Sequence, residues 1–499
     1  MKNIDDKSNN QRTSIPLRER ALVLQGGGSL GAYEAGAYQA LSAYVAAKDE
    51  KEGKGGISTF DIIAGTSIGA MNASVLTSYV VKNRTFEGSA ERLIEFWEYL
   101  SKQSTVETFP FFEKWWDYWH SLRKTIASGE AARRFYSVKE FELSGNPNVF
   151  SPLIPKLDNR FFNIYNTWYR YTNNPLKKSL EKFVNFPIAT SPEKNEPRLL
   201  LVAVDIADGI PVTFDSYPTE DGSRKTEYGK YIMKEKEEIG FEHVVKYDEG
   251  ITADQVMASG SLPVVFEPAS MEVESLLHDG ITSRTHNVVE NEKSGLHSSI
   301  NVSNVVHDHS YIKEKRSFWD GGLLANTPLT QLVLLHRKYW YRQRGIKEKV
   351  PALMVVIVNV HPTKQSEIPT DHDGILSRQS DISFSDKSHR EQEVLLLLSD
   401  YIDLVRDLVK IARENGATAD VIEKLMNQRT KNHGELSKPR QYKEIVEGRF
   451  DIGEIIRLER KNTENTISDK TFDFSKGTIR ALLNEGHKDA VDYINSRTR

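Results

Sequence analysis

The sequence predicts an α/β protein built on a largely parallel sheet, and three observations point to this fold class. Apolar runs at residues 21–24 and 60–64 each lead into a glycine-rich turn and then a helical pattern. A third apolar run of strand length lies at 199–205, and a fourth at 352–360. Strands that alternate with helices form parallel sheets, because each helix carries the chain back to the edge where the next strand begins.

The first two units contain short turns of unusual composition. The strand at 21–24 ends in Gln25 and three consecutive glycines, and small residues between 32 and 44 predict a closely packed helix after them. The second strand runs into the pentapeptide G-T-S-I-G at 65–69, and a helical pattern follows over 70–81. Both turns therefore lie where a strand meets the N-terminus of a helix.

From about residue 84 to 197 the alternation breaks, and the sequence predicts an aromatic-rich helical insertion. Residues 109–119 hold seven aromatic side chains in eleven positions. Within this run Phe112, Trp115, Trp116 and Trp119 follow the i, i+3, i+4, i+7 spacing that places side chains on one face of a helix.

After the insertion the strand–helix rhythm returns. The strand at 199–205 has a predicted hairpin partner at 212–214, and Thr252 is the expected N-cap of a helix over 252–259. A helix over 329–341 then precedes the strand at 352–360. These elements complete one enlarged α/β domain.

Beyond residue 362 the composition changes. Residues 366–390 are polar and are predicted to be mobile. A 3.6-residue apolar period then predicts a long amphipathic helix over 394–412, with further helices over 421–428 and 476–483. The expected organisation is a disordered tail at 1–18, the α/β domain at 19–362 and a helical C-terminal extension at 363–499.

Composition narrows the functional classes. The 66 basic and 70 acidic residues give a net charge of −4, which argues against a protein that grips nucleic-acid phosphates. The chain has no cysteine, which excludes thiol nucleophiles, disulfides and cysteine-ligated zinc. The first twenty residues lack an apolar signal core, and the longest apolar run is far shorter than the roughly 20 residues of a membrane helix. A cytoplasmic protein that can touch membranes peripherally is expected.

The turn at 65–69 matches the G-x-S-x-G pattern of a nucleophilic serine. A sharp strand-to-helix turn exposes the hydroxyl of Ser67, and Gly65 and Gly69 avoid clashes in that turn. The N-terminus of the following helix and the amide of Ile68 can stabilise a developing oxyanion. The alternative is a glycine-rich turn selected only for tight packing.

The glycine run at 26–31 contains G-x-G-x-x-G between a strand and a helix. A dinucleotide site would require an acidic residue at the end of the second strand, where Ser67 and its neighbours stand instead. The other interpretation is a nest of backbone amides that forms an oxyanion hole. The presence of Ser67 on the next strand favours this second interpretation.

A nucleophilic serine needs a base, and the sequence offers two. Asp320 precedes Gly321 and Gly322, so its carboxylate can approach another backbone closely and act directly on the serine hydroxyl. His361 follows the strand at 352–360, a position that suits the histidine of a triad. An Asp-Gly turn without function is the plain alternative for Asp320.

Taken together, these motifs resemble those of the patatin-like phospholipases. The resemblance rests on residues 26–31, on 65–69 and on Asp320-Gly321-Gly322, and it is supported by the text at 258–266 and 320–329. It covers roughly residues 19 to 362 with one insertion. The chain departs from the family at Leu30, where Arg or Lys is frequent, so this position supplies no cation that could anchor phosphate.

The resemblance implies a three-layer α/β/α sandwich and a serine acyl-ester hydrolase that degrades lipids through a Ser–Asp dyad and an acyl-enzyme. Ser67 would be the nucleophile and Asp320 the general base, with no metal or organic cofactor. The oxyanion donors would be Gly26, Gly27, Gly28 and Ile68. The supporting glycines of the three motifs would be Gly31, Gly65, Gly69, Gly321 and Gly322.

Alternatives of different classes stay open at this point. One is a serine esterase with a Ser-Asp-His triad that uses His361, and another is a catalytically silent lipid- or nucleotide-binding protein. The aromatic helix is either an interfacial lid or acyl-chain channel, or an ordinary core-facing helix. The segment His307-Asp308-His309 is expected to be solvated rather than to bind metal. The helix from Val394 packs on the protein or forms a homodimer contact.

Overall fold

The computed structural model describes residues 15–53, 59–123, 126–153, 170–234, 237–278, 312–365, 367–431 and 440–498. Most of the predicted tail at 1–18 lies outside these ranges, and Arg18 already begins the first strand. Within the described ranges, no helix combines the length and the apolar character required to cross a bilayer.

Twelve strands are described. In chain order they are β1 (Arg18–Leu24), β2 (Ile62–Thr66), β3 (Ser151–Pro152), β4 (Tyr171–Thr172), β5 (Arg198–Asp205), β6 (Ile210–Asp215), β7 (Lys225–Lys234), β8 (Glu237–Lys246), β9 (Ala269–His278), β10 (Ile312–Asp320), β11 (Ala352–Asn359) and β12 (Ile452–Glu459). Strands β3 and β4 form a separate small ribbon.

Fourteen α-helices are described. They are α1 (Gly31–Lys51), α2 (Ile68–Asn83), α3 (Ser89–Leu100), α4 (Phe112–Leu122), α5 (Gly129–Ser144), α6 (Asn174–Phe183), α7 (Ala253–Ser259), α8 (Gly322–Ala325), α9 (Leu329–Lys338), α10 (His372–Phe384), α11 (Ser388–Glu414), α12 (Ala419–Met426), α13 (Tyr442–Val446) and α14 (Lys476–Thr498).

The main sheet has ten strands in the order β12-β11-β1-β2-β5-β10-β9-β8-β7, with β6 paired to β5. Strands β12, β11, β1, β2 and β5 run parallel, and pairing becomes antiparallel from β10 onward. Successive residues of β1 enter different cores, because Leu22 and Leu24 pack with α1 and α2 while Ala21 and Val23 pack toward α9 and α11. Helices therefore cover both faces of the sheet, and the predicted α/β/α fold is confirmed.

The predicted strands at 21–24, 199–205 and 352–360 correspond to β1, β5 and β11, and Thr252 caps α7 with its side chain. The prediction that residues 366–390 are mobile is wrong, because α10 lies there. Asp371 caps this helix by accepting from the Gly374 amide at 2.9 Å. The loop predicted to hold His307-Asp308-His309 lies outside the described residues.

The C-terminal region is joined to the sheet and to its core. Strand β12 pairs with β11, and α14 packs along α1 at two helical glycines. A Cβ atom at Gly36 would collide with the carbonyl oxygen of Leu483, and one at Gly486 would collide with that of Tyr33. The expected boundary at residue 362 therefore coincides with no break in the sheet or in the hydrophobic core.

This close helix contact gives a test of how firmly α14 is attached. The Gly486→Ala variant should lower the free energy of unfolding by about 1 to 3 kcal/mol, since the added methyl group overpacks the α1–α14 contact. In an open helix the same change would instead raise that free energy by up to about 1 kcal/mol. Denaturant unfolding measures the difference, with the exposed Lys488→Ala as the control on the same helix. A stabilised Gly486→Ala variant would contradict the close packing.

Candidate active site

Ser67 lies in the turn between β2 and α2 and has an unusual backbone conformation. Its φ is 56° and its ψ is −125°, a region that residues with a side chain rarely adopt. A Cβ atom added to Gly65 would collide with the carbonyl oxygen of Gly69. One added to Gly69 would collide with the carbonyl oxygen of Leu24. The two glycines of the motif are thus required by close backbone contacts, and the turn presents Ser67 at the N-terminus of α2.

The amide of Ser67 is held by a residue from another element. It donates to Oγ of Ser259 at 2.9 Å, and the Ser259 hydroxyl donates in turn to the carbonyl oxygen of Val202 at 2.6 Å. Ser259 ends α7 and Val202 belongs to β5. In the sequence, residues 258–266 only supported the family resemblance. The structure shows that Ser259 connects the Ser67 amide to strand β5 through two hydrogen bonds.

Asp320 ends β10 and is buried, with 4% of its surface exposed. Its Oδ1 accepts from the Gly322 amide at 2.7 Å, and its own amide donates to the Ser261 carbonyl at 3.0 Å. Burial raises the pKa of the Asp320 carboxyl to about 6, against opposing contributions from the Ser67 hydroxyl and the Gly322 amide. The structure therefore brings Ser67 and Asp320 together.

Gly321 lets the aspartate turn approach β5. A Cβ atom at Gly321 would collide with the carbonyl oxygen of Val202, the same group that accepts from Ser259. The carbonyl oxygen of Val202 thus contacts both Ser259, which holds the serine turn, and the aspartate turn at Gly321.

The glycine loop lies directly against the serine. A Cβ atom at Gly26 would stand 2.9 Å from Cβ of Ser67, and one at Gly31 would stand 2.8 Å from the Trp97 ring. Gly28 has a φ of 58°, and a Cβ there would collide with the carbonyl oxygen of Thr471. This loop is therefore wedged between the serine turn and the C-terminal region.

One of the predicted oxyanion donors is already engaged. The Gly26 amide donates to Oδ1 of Asn326 at 3.1 Å, and Nδ2 of Asn326 donates to the Gly26 carbonyl at 3.3 Å. This reciprocal pair argues against Gly26 as an oxyanion donor. It makes Asn326, which lies in the 320–329 segment that supports the resemblance, a positioning residue. Ile68 begins α2, and the first amides of a helix lack an intrahelical acceptor.

These groups open onto a cavity of about 340 Å³. Its polar end holds Ser67, Asp320 and the glycine loop, while much of its wall is apolar. The insertion and the C-terminal region both contribute to that wall. The apolar lining residues are Ile68, Met71, Val149, Phe150, Leu176, Leu262, Phe266, Leu376, Phe384, Phe472 and Phe474.

His361 lines the same cavity but has a different carboxylate partner. Its Nδ1 lies 3.1 Å from Oδ1 of Asp381, and Lys470 donates to both oxygens of Asp381 at 2.6 and 2.7 Å. Burial lowers the pKa of His361, so the ring is neutral at pH 7. Its Nε2 faces the glycine loop, 3.3 Å from where a Cβ of Gly27 would stand.

The position of Leu30 is also defined. The side chain is buried, and the charged residues that line the small pocket beside it are Arg134, Arg460, Lys470 and Asp473. Cationic side chains from outside the glycine loop thus lie next to the position where the family often has its own. Among the described residues, no group of three or more His, Asp or Glu side chains could hold a metal ion.

No curated protein matches the chain. Among solved structures, VipD from Legionella pneumophila aligns with 96% of this chain and 67% of its own, at 12% identity and a TM-score of 0.30, which is too weak to bear on fold or function. The family model for patatin-like phospholipases matches residues 22–333, from β1 into α9, and so contains Ser67, Asp320 and the glycine loop. Because this match covers more than half of the sequence, the chain belongs to the patatin-like phospholipase family.

Proposed function

We propose that this protein is a lipid acyl-ester hydrolase in which Ser67 is the nucleophile and Asp320 the general base. Membership of the family suggests lipid acyl hydrolase activity in general terms. The observation that carries the dyad is the buried Asp320 carboxylate beside the Ser67 hydroxyl at a strained strand-to-helix turn. A base with a raised pKa next to a hydroxyl is the arrangement expected for direct proton abstraction.

The proposed reaction has two steps. Oγ of Ser67 attacks the ester carbonyl carbon while Asp320 takes its proton, and that proton passes to the departing alcohol as the acyl-enzyme forms. Water then attacks the acyl-enzyme, Asp320 accepts a proton from the water, and Ser67 regains its proton as the fatty acid leaves. The amides of Gly27, Gly28 and Ile68, with the N-terminus of α2, would stabilise the oxyanion in both steps.

The cavity suits an acyl chain. Its volume of about 340 Å³ and its apolar wall meet the polar catalytic groups at one end. Sites of this kind hold an apolar ligand by burial and fix its reactive end with a few polar groups. An ester whose carbonyl group lies at Ser67 and whose acyl chain packs against Phe150, Leu176 and Phe266 would occupy both the polar end and the apolar part of the cavity.

A second candidate is the esterase with a Ser-Asp-His triad. It is favoured by one observation, namely that His361 lines the cavity and contacts a buried carboxylate through Nδ1. That contact leaves Nε2 as the proton acceptor. The dyad is preferred because the carboxylate that interacts with the Ser67 hydroxyl is Asp320.

The dyad, the triad and a silent binding protein predict different outcomes. Ser67→Ala and Asp320→Asn should each lower kcat for p-nitrophenyl acyl esters by about 10³-fold or more, because they remove the nucleophile or its base. The His361→Gln variant should still form the acyl-enzyme and react with a fluorophosphonate probe. Loss of that reaction in a folded His361→Gln protein would favour the triad. An unlabelled wild type would favour a silent binder.

The raised pKa of Asp320 makes activity and stability depend on pH in opposite directions. The rate kcat/KM should rise with pH through about 6, since only the ionised carboxylate accepts a proton. Its folded pKa lies above the unfolded value of about 3.9, so the stability gained from the bound proton is present below pH 4 and lost through pH 6.

Asp320→Asn should therefore be inactive yet more stable than wild type at pH 8, by on the order of 2 to 3 kcal/mol. This gain should shrink toward pH 4, where the wild-type carboxyl is protonated. Urea unfolding at the two pH values measures it. Equal differences at pH 4 and pH 8 would contradict the raised pKa.

A surface for lipid contact is proposed on α4. None of its residues is buried, so the core-facing interpretation is wrong, and its predicted single face divides in two. Phe112 and Trp116 pack edge-on against Tyr136 of α5, whereas Trp115 and Trp119 are 57% and 43% exposed. Exposed Trp and Tyr side chains favour the boundary between lipid headgroups and acyl chains.

This helix is also linked to the cavity. Helix α4 packs on α5, which in turn packs on the turn at Lys470–Phe472. Thr471 and Phe472 of that turn line the cavity. Contact with a lipid surface at α4 is thus connected through one helix to the cavity wall.

The role of α4 is tested with two forms of substrate. The double variant Trp115→Ser and Trp119→Ser should hydrolyse lipid in vesicles about tenfold or more slowly, because each lost aromatic anchor weakens membrane contact by about 1.5 kcal/mol or more. Hydrolysis of a soluble short-chain ester should not change. Leu143→Ser, which alters a leucine of α5 that is 83% exposed, is the matched control. Equal losses on both substrates would show that α4 acts otherwise.

A further inference from the structure

Helix α11 is apolar on two opposite faces. Its inner face buries Leu395 and Ile402 in the core shared with α9 and β11. On the outer side, a row of large apolar residues is about half exposed, between 51% and 61% each. These residues are Val394, Leu397, Tyr401, Leu404, Leu408 and Ile411, here called the α11 seam.

The spacing of the α11 seam is regular. Successive members are separated by three, four, three, four and three residues. This 3.5-residue period is the a/d pattern by which one helix packs along a second helix, with Val394, Tyr401 and Leu408 at a positions. The row covers 18 residues, or about 27 Å of helix, which is long enough for a continuous helix–helix contact.

The charges beside the seam indicate a protein rather than a lipid as its occupant. Glu393, Asp400 and Asp407 precede the three a positions, so one border of the seam is acidic along its length. The other border holds Leu398, Val405 and Ala412. Helices that lie on membranes usually carry Lys and Arg beside their apolar face, and anionic leaflets repel an acidic border. In this respect the seam differs from the aromatic surface of α4.

We propose that the occupant is a second copy of this chain, which forms a homodimer by packing α11 against its counterpart. Two identical helices carry the same 3.5-residue row, so they satisfy the symmetry of a self-complementary contact. The seam and Leu398 together offer on the order of 700 Å² per copy, close to the roughly 800 Å² per partner of a stable interface.

The acidic border also selects an orientation. In an antiparallel pair these acidic positions face each other across the seam, and like charges would repel. In a parallel pair they face Leu398, Val405 and Ala412 of the opposite helix instead. The geometry points to parallel packing in which each seam residue meets its own counterpart.

The oligomeric state of the full chain tests the proposal. Sedimentation equilibrium at 5 to 50 μM, on the order of the concentrations at which stable dimers persist, should give twice the chain mass of 56.8 kDa. The double variant Leu404→Glu and Leu408→Glu should be monomeric, while Leu143→Glu, an equally drastic change at an exposed leucine of α5, should remain dimeric. An unchanged far-ultraviolet circular dichroism spectrum would show that the monomer is folded.

A monomeric wild type, or a dimer that survives the double variant, would overturn the proposal. Vesicles of phosphatidylcholine and phosphatidylglycerol identify the competing occupant. A monomeric wild type that binds these vesicles, and loses binding in the double variant, would assign the seam to lipid.

Because the chain has no cysteine, a single introduced thiol reports the orientation without interference. Leu397→Cys alone should form a disulfide-linked dimer under mild oxidation if the helices are parallel. Antiparallel packing would bring position 397 to position 408 instead, so a mixture of Leu397→Cys and Leu408→Cys chains would link to each other. Preferential mixed linkage would overturn the parallel arrangement, and no linkage in either case would overturn the seam itself.

Discussion

The site depends on a serine held at a positive φ between backbone segments that leave no room for side chains. Such a conformation costs on the order of 1 to 3 kcal/mol and persists only where its surroundings determine it. Here Gly26, Gly65 and Gly69 allow three backbones to meet at Ser67, and Ser259 fixes its amide. Burial of the Asp320 carboxylate also costs free energy of folding. The rest of the fold must therefore offset both the backbone strain at Ser67 and the burial of this charge.

Much of that stabilisation comes from the C-terminal region. The carbonyl oxygen of Phe384, at the end of α10, accepts from Nε2 of Gln25 at 3.0 Å and from Nδ2 of Asn326 at 2.7 Å. Asn326 in turn holds Gly26, and Thr471 closes against Gly28. The glycine loop is thus enclosed by residues that lie 300 or more positions away in the chain.

The strand-to-helix turn at Ser67 could be predicted because the packing constraints that select its glycines are local. A sharp strand-to-helix turn needs glycine within two residues of Ser67, whatever the rest of the chain does. The prediction for residues 366–390 failed because a polar segment is ordered there by distant partners, such as Lys470 on Asp381. The apolar periodicity predicted helix α4 but not its exposure to solvent, because a buried helix face and an exposed one can have the same spacing of apolar residues. The segment 320–329 supported the resemblance, but its sequence does not show that Asn326 hydrogen-bonds to Gly26, 300 positions away.

The two exposed apolar surfaces differ in composition, and this difference is the reason that we propose different partners for them. Trp and Tyr on α4 have polar groups that suit a wet lipid boundary, whereas the α11 seam is mainly aliphatic, evenly spaced and bordered by acids. Helix α11 also follows directly on α10, which lines the cavity, and Glu391 at its start accepts from the Thr330 amide at 3.1 Å. A second copy packed on α11 would therefore hold in place the helix that carries Phe384, and through Asn326 the glycine loop beside Ser67.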